Sequence, residues 1–212
     1  MKEKKQRHNK SLFNLNNKWL LYMEKIFDFM CLNLIFCISC LPILTIGIAK
    51  LALYSCLVER MESDSESLIS DYFRYFKRFS IIGFKVGCLE LLTFGIIAMD
   101  LFLIWSQTNF LFQVFKVICF CCLFLLILVF IYTYPMISQS PEPLFKIFKR
   151  SMLQLSQHIL FSFSIIFMIT LLLFFILSSS VVLLVVLSFM FIIGISCVSY
   201  GFVYFMRKYI SI

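Results

Sequence analysis

Four charged side chains lie deep within long apolar runs in this chain: Lys50, Glu90, Asp100 and Lys116. Charge inside an apolar run is costly unless it is paired or put to work, so these four residues are where chemistry would be sought first. Their positions match in two pairs. Asp100 and Lys116 each lie about two turns from the polar stretch Ser106–Asn109, a spacing that would bring them side by side on antiparallel helices. Lys50 and Glu90 fall near the middle of the runs that carry them. Each acid thus has a base at a similar level. Two ion pairs that hold helices in register are one reading, and a polar pathway or binding site is the other.

Other reactive groups give weaker signals. Cys37 and Cys40 have the spacing of a redox or metal motif, but there is no second pair and no neighbouring His, so they read as small apolar packing residues. The same holds for the other seven cysteines: Cys31, Cys56, Cys88, Cys119, Cys121, Cys122 and Cys197. Of the two histidines, His8 lies in a basic N-terminal stretch, and His158 suits a capping or interfacial place. Glu24 and Asp28 could meet Arg60 or lie at head-group level. No Gly-x-Ser-x-Gly, His-Glu-x-x-His or phosphate-binding glycine loop occurs, so no catalytic residue, metal site or cofactor is expected and the chain does not read as an enzyme.

The elements that must position these residues follow from composition. Of 212 residues, 62% are hydrophobic and 14% charged, with a mean hydropathy of +0.98. That leaves too little polar surface to cover a soluble globule. Apolar runs such as 110–137 and 159–191 are long enough for membrane helices. The net charge of +8 lies between the runs rather than in an exposed basic domain. Nucleic acid is therefore not an expected partner, and anionic lipid head groups are.

The predicted fold class is all-α: a polytopic transmembrane helical bundle of six spans. A basic tail (1–18) precedes one membrane domain (19–208), with spans at about 22–41, 43–60, 81–105, 110–137, 158–178 and 181–206. The stretch 29–58 would be about 45 Å long as one helix, against a hydrocarbon core of about 30 Å. Leu41-Pro42 and Gly47 interrupt it, and Pro42 suits the first turn of a new helix. Splitting there leaves the outer turns without Lys or Arg. The inner side then holds the tail, Arg60, Arg74, Lys77, Arg78, Lys146, Lys149, Arg150, Arg207 and Lys208, as the positive-inside rule requires for cytoplasmic termini. Trp19, Tyr22, Trp105, Tyr204 and Tyr209 fall near the interfaces. The basic n-region lacks a small-x-small cleavage site after the first run, so that run reads as an uncleaved helix.

Two inner segments read as short interfacial amphipathic helices. In 71–79, Tyr72, Tyr75, Phe76 and Phe79 oppose Asp71, Arg74, Lys77 and Arg78. In 144–155, Leu144, Phe148, Met152 and Leu155 oppose Lys146, Lys149 and Arg150. A basic face opposite an aromatic one suits the lipid interface. Phe73-Arg-Tyr-Phe-Lys-Arg and Phe145-Lys-Ile-Phe-Lys-Arg also match each other, 72 residues apart. Duplication of a two-span unit would explain the match, and shared composition is the alternative.

Three stretches resemble the YesL family of small bacterial membrane proteins: Leu41-Pro-Ile-Leu-Thr-Ile-Gly-Ile-Ala-Lys-Leu-Ala-Leu-Tyr54, Asp71-Tyr-Phe-Arg-Tyr-Phe-Lys-Arg-Phe79 and Tyr134-Pro135. Lys50 departs from the family's small residues. The resemblance implies a multi-pass protein of the bacterial cytoplasmic membrane, without a known reaction or ligand, often encoded beside carbohydrate uptake transporters. Two functions are therefore expected as rivals. One is an accessory or regulatory component of carbohydrate uptake, with ABC-transporter subunits as candidate partners. The other is a small transporter or channel that uses the Lys50/Glu90 layer.

Overall fold

The computed structural model describes residues 17–62, 68–139, 142–178 and 180–210, and the described residues form helices and turns with no strand. The helices are α1 (Asn17–Ser39), α2 (Ile46–Glu62), α3 (Leu68–Arg78), α4 (Ser80–Ile104), α5 (Phe110–Gln139), α6 (Leu144–Gln157), α7 (Ile159–Ser178), α8 (Ser180–Phe189) and α9 (Ile195–Ile210), with a π-helical turn at Met190–Gly194. The tail with His8, the side chains of Trp19, Tyr22, Glu24 and Tyr209, and the turn residue Ser179 fall outside the described residues.

Pro42 ends the first hairpin arm as expected. It stands in extended backbone (φ −76°, ψ 120°) before a single 3-10 turn, Ile43–Thr45. The Thr45 hydroxyl donates to the Ser39 and Pro42 carbonyls at 2.6 and 2.7 Å. The Pro42 carbonyl also accepts the Thr45 backbone N–H at 2.9 Å, while the Ser39 carbonyl belongs to the unpaired end of α1, so the turn closes on Thr45.

Side-chain pairs give the helix directions. Asp28 meets Arg60, and Leu32 and Leu57 line one small hollow, so α1 and α2 are antiparallel. The Phe94 and Phe130 rings lie tilted against each other, 6.3 Å between centres, and Lys116 reaches the Trp105 carbonyl, so α4 and α5 are antiparallel. Phe29 packs edge-on against Tyr200 at 5.2 Å, and Asn33 meets Ser196, which sets α9 antiparallel to α1. Helix α2 is the hub, touching α1, α3, α4, α5 and α9. Its Ala49, Leu51, Ala52, Leu53, Cys56 and Leu57 are all buried. Small residues let five neighbours close around it.

Among the described residues, three helices are long and apolar enough to cross a membrane: α4, α5 and the continuous run Val181–Lys208. Their outward apolar side chains, such as Phe102, Phe110 and Leu111, are exposed, as a lipid-facing surface requires. The protein is thus an all-helical membrane protein. The expected six helical segments all form. Helix α2, however, has only 17 residues, and its apolar part before Glu59 would be about 20 Å long, against about 30 Å of hydrocarbon.

The two basic helices pack much of their apolar side on the bundle, while Phe73 and Phe145 stay exposed. Helix α3 packs on α2 and α6 on α5, with Tyr72 and Ile147 fully enclosed. Two details correct the sequence reading. Asp71, assigned to the polar face, is buried beside Tyr72, and Arg74 meets its Oδ1 at 3.1 Å. Met152, assigned to the packed face, is exposed, while Ile147, Ser151 and Gln154 turn inward. Ser151 donates to the Ile147 carbonyl and accepts from Thr133. These polar contacts rotate the buried face of α6 in a way hydrophobic spacing does not record.

Candidate functional site

Helices α2 and α4 meet without side chains between them. A β-carbon on Gly47 would lie 2.3 Å from the Gly83 carbonyl oxygen and 2.6 Å from the Gly87 Cα, and one on Gly83 would lie 2.7 Å from the Ile48 Cα. Those separations exclude any larger residue, so the backbones are in direct contact, as small-x-x-x-small pairs permit. Sequence reading used Gly47 only as a helix interruption. Gly83-Phe-Lys-Val-Gly87 was the signal it passed over. Lys85, midway between the two glycines, is exposed.

Beside this seam, Lys50 Nζ donates to Glu90 Oε1 at 2.6 Å. Tyr134 of α5 donates its hydroxyl to Glu90 Oε2, so both carboxylate oxygens are engaged. The Lys50 ammonium also stands 4.9 Å from the centre of the Tyr134 ring, close enough for a cation–π contact. The geometry follows from helix direction. Side chains tilt toward the N-terminus of their own helix. Lys50 and Glu90 each stand three residues beyond the Gly47–Gly87 contact on their own helix, so the two side chains, leaning back toward that contact, meet beside it.

The same rule separates the other expected pair. Asp100 leans away from the α4–α5 turn, whereas Lys116 leans toward it. Lys116 Nζ donates to the Trp105 and Gln107 carbonyls at 3.0 Å each and lies 6.0 Å from the Trp105 ring centre. A cation is well placed at the orphan carbonyls of a helix C-terminus. Among the described residues, Asp100 makes no ion pair; it is partly buried and lies near Cys119. The expected Asp100–Lys116 pair is therefore not made.

Next to Glu90 is a half-open cavity of about 210 Å³. Phe36, Phe94 and Phe130 form apolar walls, and Lys50, Glu90 and Tyr134 form one polar corner. Tyr54 and Ser199, which lie against each other, close the side toward α9. Side-chain exposure is 30% for Lys50 and 14% for Glu90. This polar corner is therefore sheltered but open to a small molecule.

A second polar residue of α1 was not singled out by sequence reading. Asn33 is fully buried. It donates to the carbonyls of Met190 and Phe191 at 3.0 and 2.6 Å and accepts from the Ser196 backbone and hydroxyl at 3.1 and 3.3 Å. The π-turn frees carbonyls that an α-helix would satisfy, and the Asn33 amide fills them. One turn further along each helix, Phe36 and Ser199 line the cavity, so this clamp fixes two of its walls.

The six basic residues of the surface helices lie on or near the surface. Lys77, Arg78, Lys146 and Lys149 are exposed and Arg150 is partly buried. Arg74 donates from Nη2 to both Glu59 carboxylate oxygens at 2.9 Å, and Lys146 reaches Glu142 at 3.2 Å. Tyr72 lies beside Ser39 without a hydrogen bond of normal geometry, and burial pushes its hydroxyl pKa up. Among the described residues, no group of His, Cys, Asp and Glu is arranged to hold a metal, and the described cysteines are free thiols.

Part of this arrangement is similar to a known protein family. The profile of a family described as "Protein of unknown function, DUF624" matches residues 29–101. That span includes Asn33, the Gly47–Gly83–Gly87 seam, Lys50 and Glu90, and stops before Tyr134. No curated protein and no solved structure matches the chain.

Proposed function

We propose that this protein is a non-enzymatic, membrane-embedded binding protein that takes a small polar solute at the Lys50–Glu90–Tyr134 corner, as a small transporter or the binding element of one. The observation that carries this reading is the cavity of about 210 Å³ against Glu90. A purely structural ion pair has no need of open space beside it. The volume is below the usual range for drug-sized ligands. The three phenylalanine walls offer flat apolar faces, and the polar corner offers both a donor and an acceptor. The setting is a bacterial cytoplasmic membrane with both termini inside, supported by the distribution of basic residues and by the YesL resemblance.

The test is a stability screen in detergent against monosaccharides, amino acids and small organic ions, followed by flux into liposomes. A solute that binds should raise the wild-type melting temperature, by the equivalent of about 2.7 kcal/mol at a hundredfold excess over Kd. It should leave Glu90→Gln unmoved.

The paired state of Lys50 and Glu90 favours a second reading: an accessory component of carbohydrate uptake whose charges are structural. Recovery of ABC-transporter subunits on purification in mild detergent, with no solute response, would replace the first reading with this one.

A further inference from the structure

We infer that the α1–α2 hairpin does not cross the membrane but ends inside it, presenting its apolar tip to the acyl chains of the inner leaflet. Three observations carry this. The first is contact: the start of α2 is pinned at Gly47 to Gly83 and Gly87, close to the start of α4. The second is length. Beyond Gly87, α4 continues 17 residues to Ile104, about 26 Å. Beyond Gly47, α2 has a single residue, Ile46, before the 3-10 turn Ile43–Thr45 and Pro42. The tip therefore stops well short of the α4–α5 turn at any crossing angle of the two helices. The third is the surface of the tip. Leu41, Ile43 and Leu44 are 78%, 64% and 57% exposed, and none of the turn residues from Leu41 to Thr45 is charged.

Exposed backbone at membrane depth needs internal partners. The Thr45 hydroxyl on the Ser39 and Pro42 carbonyls supplies them. The turn is thus chemically suited to lie in hydrocarbon, whereas a turn in water would not need this closure. Acyl chains are the occupant because Leu41, Ile43 and Leu44 stay exposed although the turn itself rests against α4, and they offer a partner no polar group.

The test combines two measurements on the full-length protein. In whole cells, Ile43→Cys and Ser106→Cys are exposed to a membrane-impermeant maleimide, with the native protein as background. In liposomes, Ile43→Trp, with Trp19 and Trp105 replaced by Phe, is quenched by lipids brominated along the acyl chain and, separately, by aqueous iodide. The expected result is labelling of Ile43→Cys at least tenfold slower than Ser106→Cys, with tryptophan quenching by acyl-chain bromine and not by iodide. Labelling at the rate of Ser106→Cys, or quenching by iodide, overturns the inference. So does an Ile43→Trp that neither quencher reaches, since the tip would then be covered by protein. None of these readouts depends on solute binding at Glu90.

Discussion

At the scale of single residues, the polar groups inside the bundle differ in how completely they are satisfied, and that difference sets what their loss should do. Glu90 has both oxygens engaged, by Lys50 and Tyr134. Removing Lys50 leaves a sheltered carboxylate with one partner. Lys50→Met alone should therefore lower stability by roughly 2 kcal/mol, reduced from the fully buried case because Lys50 is partly exposed. Lys50→Met with Glu90→Gln should recover most of that loss. Thermal unfolding in detergent measures the cycle, and a double variant no more stable than the single would show that the pair is not the relevant unit. Asn33 predicts a larger single-site effect, because four hydrogen bonds converge on one amide. Asn33→Ala should destabilise by about 2–3 kcal/mol, since two carbonyls and an N–H lose their partner in a dry site. Asn33→Asp should be no better, because it keeps the acceptor but turns the donor toward the Met190 and Phe191 carbonyls into a second acceptor. The Lys50–Glu90 contact was legible from sequence because matched depth was the right variable there. The Asp100–Lys116 contact was misread because depth omits the direction in which each side chain leans. Asn33 was missed because it carries no charge, and only the freed carbonyls of the π-turn show what it is for.

At the scale of elements, helix positions were largely legible and helix contacts were not. Hydropathy and Pro42 place the six apolar segments within a few residues of the observed helices, since burial in lipid imposes a minimum length that sequence displays directly. Which helix touches which depends on small residues, and the Gly83-x-x-x-Gly87 spacing was the available signal. Gly47→Ala or Gly87→Ala should push α2 and α4 apart and destabilise the protein by more than about 2 kcal/mol, because backbone atoms cannot move aside as a side-chain tip can. Gly95→Ala and Gly201→Ala have open space around them and should be neutral or slightly stabilising, as helix propensity alone would then decide. Equal effects at all four positions in the same unfolding assay would remove the seam as a special feature. The basic helices follow the same logic. Their amphipathic spacing gave their existence, but polar contacts inside the core, Ser151 with Thr133 above all, decided which side packs.

At the scale of the whole molecule, orientation and depth are separate quantities. A hairpin that enters and leaves by the inner face returns the chain to the same side as one that crosses twice. The placement of Lys and Arg therefore fits six full spans and also fits four spans with a half-inserted hairpin. This is why charge bias alone could give the parity of the topology without the depth of its first two helices. The shared orientation is itself testable. The α4–α5 turn between Ile104 and Phe110 carries no charged residue, whereas α9 ends in Arg207 and Lys208. Cytoplasmic retention of juxtamembrane basic residues sets which end stays inside. Alkaline phosphatase inserted after Thr108 should therefore be active, which requires export, and the same enzyme fused after Lys208 should be inactive. A fluorescent protein fused after Lys208 should mature in the cytoplasm. The opposite pattern would place Arg60, Arg74, Lys77, Arg78, Lys146, Lys149 and Arg150 outside. It would invert the side from which the Glu90 cavity and the Pro42 tip are approached, and with it both proposals made above.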